Sequence, residues 1–162
     1  MAIRAMDAET RVARDDHTAI RLWLRMLATN RLVETRTRGL LKERYATTLP
    51  RFDLMAQLER EPSGLKMGEL SKRMMVTGGN VTGITDGLVR EGLVERVPDP
   101  DDRRAILVRL TAAGRRNFAA MAAEHERWIV EAFGALTRRE VATMATLLAR
   151  LKAHLRSLEE QA

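Results

Sequence analysis

Residues 96–111 read RVPDPDDRRAILVRLT, and this stretch decides the fold. Two short β-like runs, 93–97 and 105–110, flank a loop rich in Pro and Asp that ends in two adjacent arginines. A two-stranded hairpin of this size is not stable alone, and a turn of Pro and Asp does not build a core. The stretch is therefore interpreted as a wing, a rigid two-stranded finger that carries positive charge to an anionic surface.

Two short helices joined by a tight turn are predicted directly before the wing. Residues 67–74 form the first, with Leu70 and Met74 four residues apart. Thr77 suits the N-cap of the second helix, and Gly92 has the position of a glycine that ends it. A helix-turn-helix followed by a basic β-finger is typical of DNA-binding proteins, so the sequence predicts this function.

The polar side of the second helix carries small and hydrogen-bonding residues rather than a lysine-rich solvated face. Such a surface can approach base edges closely, with Asn, Thr and Arg as readers. The candidate DNA contacts of helix and wing are Thr77, Asn80, Thr82, Thr85, Arg90, Arg103 and Arg104.

The amino-acid composition limits the classes of protein to which this chain can belong. The chain has 162 residues, a formal net charge of +6 and a sequence pI of about 10.6, which favours a polyanionic partner. It has no cysteine, which excludes disulfides and thiolate catalysis, and its three histidines are far apart. We expect no metal site, no cofactor and no enzyme activity, since no serine has a catalytic His and Asp pattern around it. No apolar run approaches the length of a membrane span, and residues 1–16 lack a signal region, so a cytoplasmic, soluble protein with no membrane partner is expected.

Long helices are predicted on both sides of the winged helix-turn-helix. The first, within 15–48, has two apolar faces, which suggests a helix held by its own domain and by a partner subunit. Burial in a larger core is the alternative. We divide the chain into a flexible N-terminus (1–14), an N-terminal dimerisation helix (15–48), a winged helix-turn-helix domain (49–110) and C-terminal dimerisation helices (111–162).

The last helix shows the clearest amphipathic pattern. Thr137 and Glu140 have the spacing of a capping box, and apolar residues then repeat at alternating spacings of three and four. This seam predicts a homodimer interface, with intramolecular packing onto the first helix as the alternative. The interface residues are Ile20, Val141, Met144, Leu148, Leu151, Leu155 and Leu158.

The order of these elements resembles the MarR family of winged-helix transcriptional regulators, over about residues 20–158. The resemblance is densest in the segments ELSKR (69–73), NVTGITDGL (80–88), EGLVER (91–96) and DPDDRR (99–104). It implies a mainly α fold with a small β-hairpin wing, and a dimer whose two winged helices enter successive major grooves of a pseudo-palindromic operator. It also implies that Arg104 reaches a minor groove and that Asp102 braces it. One departure is Gly87 after Asp86, where the family usually has a basic residue, so that a phosphate contact is missing or moved to Arg90.

The family resemblance also implies an effector pocket between the dimerisation helices and the winged helix. Candidate effector-binding residues are Trp23, Arg25, His125 and Trp128, although the two tryptophans and His125 also suit a core. The stretch GGNVTG (78–83) is similar to regulators of aromatic-acid catabolism, including ones that sense hydroxycinnamoyl-CoA thioesters. We therefore expect a repressor that a small aromatic effector or its CoA thioester releases from an inverted-repeat operator. A winged helix that serves an enzyme or a protein–protein contact is the alternative.

Overall fold

The computed structural model describes residues 17–102 and 104–160 and is mostly helical, with one small antiparallel sheet. The predicted flexible segment 1–14 lies outside the described residues. The helices and strands are α1 (Thr18–Tyr45), α2 (Leu49–Glu59), β1 (Leu65–Lys66), α3 (Met67–Met74), α4 (Gly78–Arg90), β2 (Val94–Pro98), β3 (Ile106–Leu110), α5 (Ala112–Ala132) and α6 (Arg138–Glu159). The chain divides into two compact units, one up to Ala122 and one from Ala123.

The sheet contains the predicted wing and one strand that was not predicted. Strands β2 and β3 pair antiparallel with Arg96 opposite Val108, and β1 pairs with the other edge of β3. The sheet order is therefore β1-β3-β2. The sequence predicted a two-stranded hairpin, and a strand as short as Leu65–Lys66 is too brief to leave a periodic pattern. The third strand joins the middle of β3 to the start of α3.

The hydrophobic core of the first unit takes residues from each of its helices and strands. Leu41 of α1, Leu54 of α2 and Leu70 of α3 are fully buried. The rings of Phe52 and Phe118 are 5.4 Å apart between centroids and add an aromatic contact between α2 and α5. The remaining buried apolar side chains are Met55, Leu58, Leu65, Val81, Leu88, Val94, Val108, Leu110 and Met121. Because close packing leaves these side chains little freedom, the core holds α4 and the wing in a fixed relation.

Several predicted helix ends are present. The Thr137 hydroxyl accepts a hydrogen bond from the Glu140 N–H at 3.3 Å, and the Thr137 N–H donates to the Glu140 carboxylate at 2.7 Å, which confirms the capping box. Gly92 follows α4 with a φ of +69°, which glycine adopts without strain. Thr77 lies at the N-cap of α4, but its hydroxyl does not cap the helix.

The apolar seam of α6 is exposed in the described residues of the single chain. No side chain of this helix is buried, although its pattern is strongly amphipathic. The six seam residues are between 36% and 51% exposed. A monomeric protein rarely leaves so long an apolar row in contact with water.

Candidate nucleic-acid interface

One side of α4 presents its own backbone to solvent. Gly79, Gly83 and Gly87 are spaced four residues apart and therefore lie in one row along the helix. A Cβ atom added at Gly79 or Gly83 would meet no heavy atom within 4 Å, and one added at Gly87 would lie 3.9 Å from a guanidinium nitrogen of Arg90. The row forms part of a groove of about 420 Å³ that Asn80 and Arg90 also line. A groove with exposed backbone along one side permits close approach to a ligand with hydrogen-bonding edges.

The two exposed threonines Thr77 and Thr82, at the N-cap and in the first half of α4, differ in the hydrogen bonds that their hydroxyls make. The Thr82 hydroxyl donates to the carbonyl of Gly78 at 2.9 Å and keeps its acceptor positions toward solvent. The Thr77 hydroxyl makes no hydrogen bond within residues 17–102 and 104–160, and Asn80 is exposed beside it. These three side chains are positioned to contact a ligand at the beginning of α4.

Thr85 does not belong to this surface, and its prediction as a DNA contact is wrong. It is fully buried, and its hydroxyl donates to the carbonyl of Val81 at 2.8 Å. The spacing of Val81, Thr85 and Leu88 places all three on the core side of the helix. The internal hydrogen bond satisfies the hydroxyl, so that it is buried at little cost.

Two ion pairs link α4 to its neighbours, and neither was predicted. Arg96 of β2 contacts the Asp86 carboxylate at 2.6 Å, which joins the helix to the wing. Arg51 of α2 pairs with Glu91, directly after the end of α4. The partners are at least ten residues apart in sequence, so only the folded chain brings them together. Helix and wing are thus presented as one surface.

The loop of the wing is organised by Asp99, a buried carboxylate that sequence reasoning missed. Asp99 is only 7% exposed, accepts the N–H of Asp101 at 3.0 Å and pairs with the Lys66 ammonium at 3.1 Å. The N–H of Asp101, and then Lys66, hold the pKa of Asp99 below its ordinary value. The Asp-Pro sequence at 99–100 is the signal for this turn, since Asp side chains accept a backbone hydrogen bond two residues on.

Asp102 braces the loop through the backbone. Its carboxylate accepts the N–H of Arg104 at 3.0 Å, and its carbonyl accepts the N–H of Ala105 at 2.8 Å. The Arg104 side chain is exposed, and the hydrogen bond to Asp102 comes from its main-chain N–H. Arg103, the other predicted DNA contact of the wing, lies outside the described residues.

The predicted effector residues lie on two helices in different units. Trp23 is 59% exposed on α1, and Arg25 of the same helix is also exposed, whereas His125 and Trp128 are half-buried on α5. Among the described residues no three His, Cys, Asp or Glu side chains form a cluster suited to a metal ion. Nor does that part of the chain contain a helix with the length and apolar character needed to cross a membrane.

Comparison with known proteins identifies the architecture. The model of the MarR family matches residues 47–106. A MarR family transcriptional regulator from Silicibacter pomeroyi is 32% identical, covers 90% of this chain and 99% of its own, and has a TM-score of 0.71. The chain belongs to the MarR family.

Two further relatives connect the family to its function. The transcriptional activatory protein BadR of Rhodopseudomonas palustris is 33% identical over 126 residues, which are 72% of this chain and 71% of BadR. A mutant MarR of Escherichia coli, solved in complex with operator DNA, has a TM-score of 0.72 at 26% identity and covers 86% of this chain and 99% of its own. This MarR-family chain is a DNA-binding transcriptional regulator and not an enzyme.

We expect Arg104→Ala to weaken operator binding by about 1–3 kcal/mol, the range for loss of a good groove contact. Narrow minor grooves attract guanidinium groups through their enhanced negative potential. A gel shift at fixed salt measures the affinity, and the thermal midpoint should stay unchanged because the side chain is exposed. Arg127→Ala, which removes an exposed arginine of α5, is the control. Equal operator affinity of Arg104→Ala and wild type would contradict the assignment of the wing.

Proposed function

We propose that this regulator is a homodimeric repressor that leaves an inverted-repeat operator when a small aromatic effector or its CoA thioester binds. The observation that carries the proposal is the combination of an exposed polar face on α4 with an exposed apolar seam on α6. The first supplies a surface that reads DNA, and the second supplies a surface that pairs two copies.

The homodimer is supported by the seam and by Ile20, which is 47% exposed on α1. An isologous dimer has a two-fold axis, so that it presents two identical winged helices to DNA. Its operator is therefore an inverted repeat with half-site centres about 10 base pairs apart. The DNA contacts proposed for each copy are Thr77, Asn80, Thr82, Arg90, Arg103 and Arg104.

The aromatic effector is supported by residue chemistry on α1 and α5. Trp23 offers an exposed aromatic face, and Arg25, two residues later on α1, is a cation of the kind that binds a carboxylate or phosphate. Trp128 and His125 add half-buried rings on α5. Each of these residue types suits an aromatic acid, and the similarity of residues 78–83 to regulators of aromatic-acid catabolism points to the same class.

Activation is the second candidate for the regulatory outcome. It is favoured by one finding, namely that the relative BadR is named a transcriptional activatory protein. Transcription in vitro from a promoter that contains the operator distinguishes the two outcomes. A repressor lowers transcript yield when added without effector, whereas an activator raises it.

Operator DNA and effector are expected to weaken each other's binding by the same factor. If the effector prefers the dimer spacing that does not bind DNA by about 1–3 kcal/mol, the factor is about 5–150. A thermal-shift screen of phenolic acids and their CoA thioesters selects the ligand. Calorimetric titration of that ligand into protein, with and without operator, then measures both affinities. Equal affinities in the two titrations would contradict the allosteric mechanism. The variant Trp23→Ala should bind the ligand more weakly in both titrations, and its affinity for operator DNA should not change.

A further inference from the structure

A second groove lies beside the reading face of α4, at the junction of α1 and α2. It has a volume of about 530 Å³ and is lined by Arg38 and Lys42 of α1 and by residues 46–50. Thr48 lines this groove and also the groove on α4. The two grooves are therefore neighbours on one surface of the first unit.

Positive charge runs along both grooves. Arg38 and Lys42 line the groove at the end of α1, and Arg51 and Arg90 line the groove on α4. The charge of Arg51 is neutralised by Glu91. Arg38 forms an ion pair with Glu34 at 3.1 Å, but both side chains are exposed, so solvent weakens this contact. Lys42 is exposed and has no ion pair within residues 17–102 and 104–160.

The rest of the groove lining is mainly apolar. Ala46, Leu49 and Pro50 provide aliphatic surface next to the two cations. A nucleic-acid backbone alternates an anionic phosphate with a sugar that has an apolar side, and this lining matches both parts. Proteins fix their register on a duplex through phosphate and sugar contacts of this kind.

We propose that the DNA-binding surface extends beyond α4 and the wing to the end of α1, where Lys42 and Arg38 contact backbone phosphates that flank the bases read by α4. This inference rests on the proposed operator binding and adds a second patch of contacts to it. The contacts carry no sequence information. They set the length of DNA that each subunit covers and strengthen the dependence of binding on salt.

The salt dependence of operator binding tests the proposal directly. Each phosphate contact contributes about 0.9 to the slope of log affinity against log salt. In a symmetric dimer Lys42→Gln removes two such contacts and lowers the slope by about 1.8. Between 50 and 200 mM salt the affinity of wild type should therefore fall about tenfold more than that of the variant. The ratio of operator affinity to affinity for scrambled DNA should not change.

The chain offers matched controls on the same helix. Arg36 is exposed and lies two residues before Arg38, on the opposite side of α1, so Arg36→Gln should keep the wild-type slope. Lys42→Arg retains the positive charge and should also keep the wild-type slope. A change in the stability of α1 alone would alter the thermal midpoint without altering the slope. On a duplex shortened to the two half-sites, Lys42→Gln and wild type should bind equally.

The outcomes separate this proposal from the proposed function. If Lys42→Gln has the same salt-dependence slope as wild type while Arg104→Ala binds operator more weakly, the extension of the DNA-binding surface to α1 is wrong and the proposal of operator binding stands. Failure of the wild-type chain to bind any inverted repeat would overturn the proposed function instead. If Lys42→Gln keeps its affinity for DNA but binds a phenolic acid more weakly than wild type, the groove holds a small carboxylate and the proposal is wrong.

Discussion

Replacing Gly114 with alanine is expected to destabilise the winged-helix unit by about 3 kcal/mol, the upper end of the usual cost of overpacking. A Cβ atom at this buried position would lie 1.9 Å from the carbonyl oxygen of Leu93 and 3.3 Å from a methyl group of Leu110. Moving this carbonyl away would break the hydrogen bond that it accepts from the N–H of Thr111 at 3.1 Å. Urea denaturation followed by circular dichroism measures the loss, which is a large fraction of the total stability of about 5–15 kcal/mol that a domain has.

Gly39→Ala is the matched control for this substitution. Gly39 lies inside α1, and a Cβ atom added there would meet nothing within 4 Å. Alanine is a better helix former than glycine by about 0.5–1 kcal/mol, so this variant should be slightly more stable than wild type. If Gly114→Ala were as stable as Gly39→Ala, this result would contradict the close contact between the start of α5 and the carbonyl that precedes β2.

Elements that depend on local sequence were predictable. The capping box at Thr137 and Glu140 requires only two residues at a fixed spacing. The wing is similar, since its Pro/Asp turn and its two β-like runs lie within twenty residues of one another. Helix α4 follows from its apolar spacing and from Gly92, which ends it with a positive φ. In each case the physical cause acts over a few residues.

Features that depend on tertiary contacts were not predictable in the same way. The pair between Asp86 and Arg96 exists because the sheet brings β2 beside α4. Strand β1 is defined by its partner β3 rather than by its own residues. Thr85 was misassigned because its polar side chain was weighted above its position, although the spacing from Val81 to Leu88 already placed it on the buried side. At such positions helical geometry is a better guide than residue polarity.

The double variant Leu151→Asp with Leu155→Asp is expected to abolish the dimer and to weaken operator binding by a factor of about 10²–10⁴, the range of avidity lost when two linked sites are separated. The two leucines are 40% and 51% exposed in the single chain, and the proposed interface would cover them. A carboxylate buried there without a partner is strongly unfavourable. Sedimentation equilibrium measures the oligomeric state, and gel shifts compare a full operator with a single half-site. Affinity for the half-site should not change, since the winged helix lies in the other unit.

The effect of two extra negative charges must be separated from the effect of their position. Ala149→Asp with Ala153→Asp adds the same charge to the same helix, but outside the seam that runs from Val141 to Leu158. These residues lie on the side of the helix away from the apolar row, since the seam repeats at alternating spacings of three and four. The control should therefore remain a dimer and bind the full operator like wild type. A wild-type chain that is already monomeric at micromolar concentration, or a seam variant that still dimerises, would show that α6 does not pair two copies.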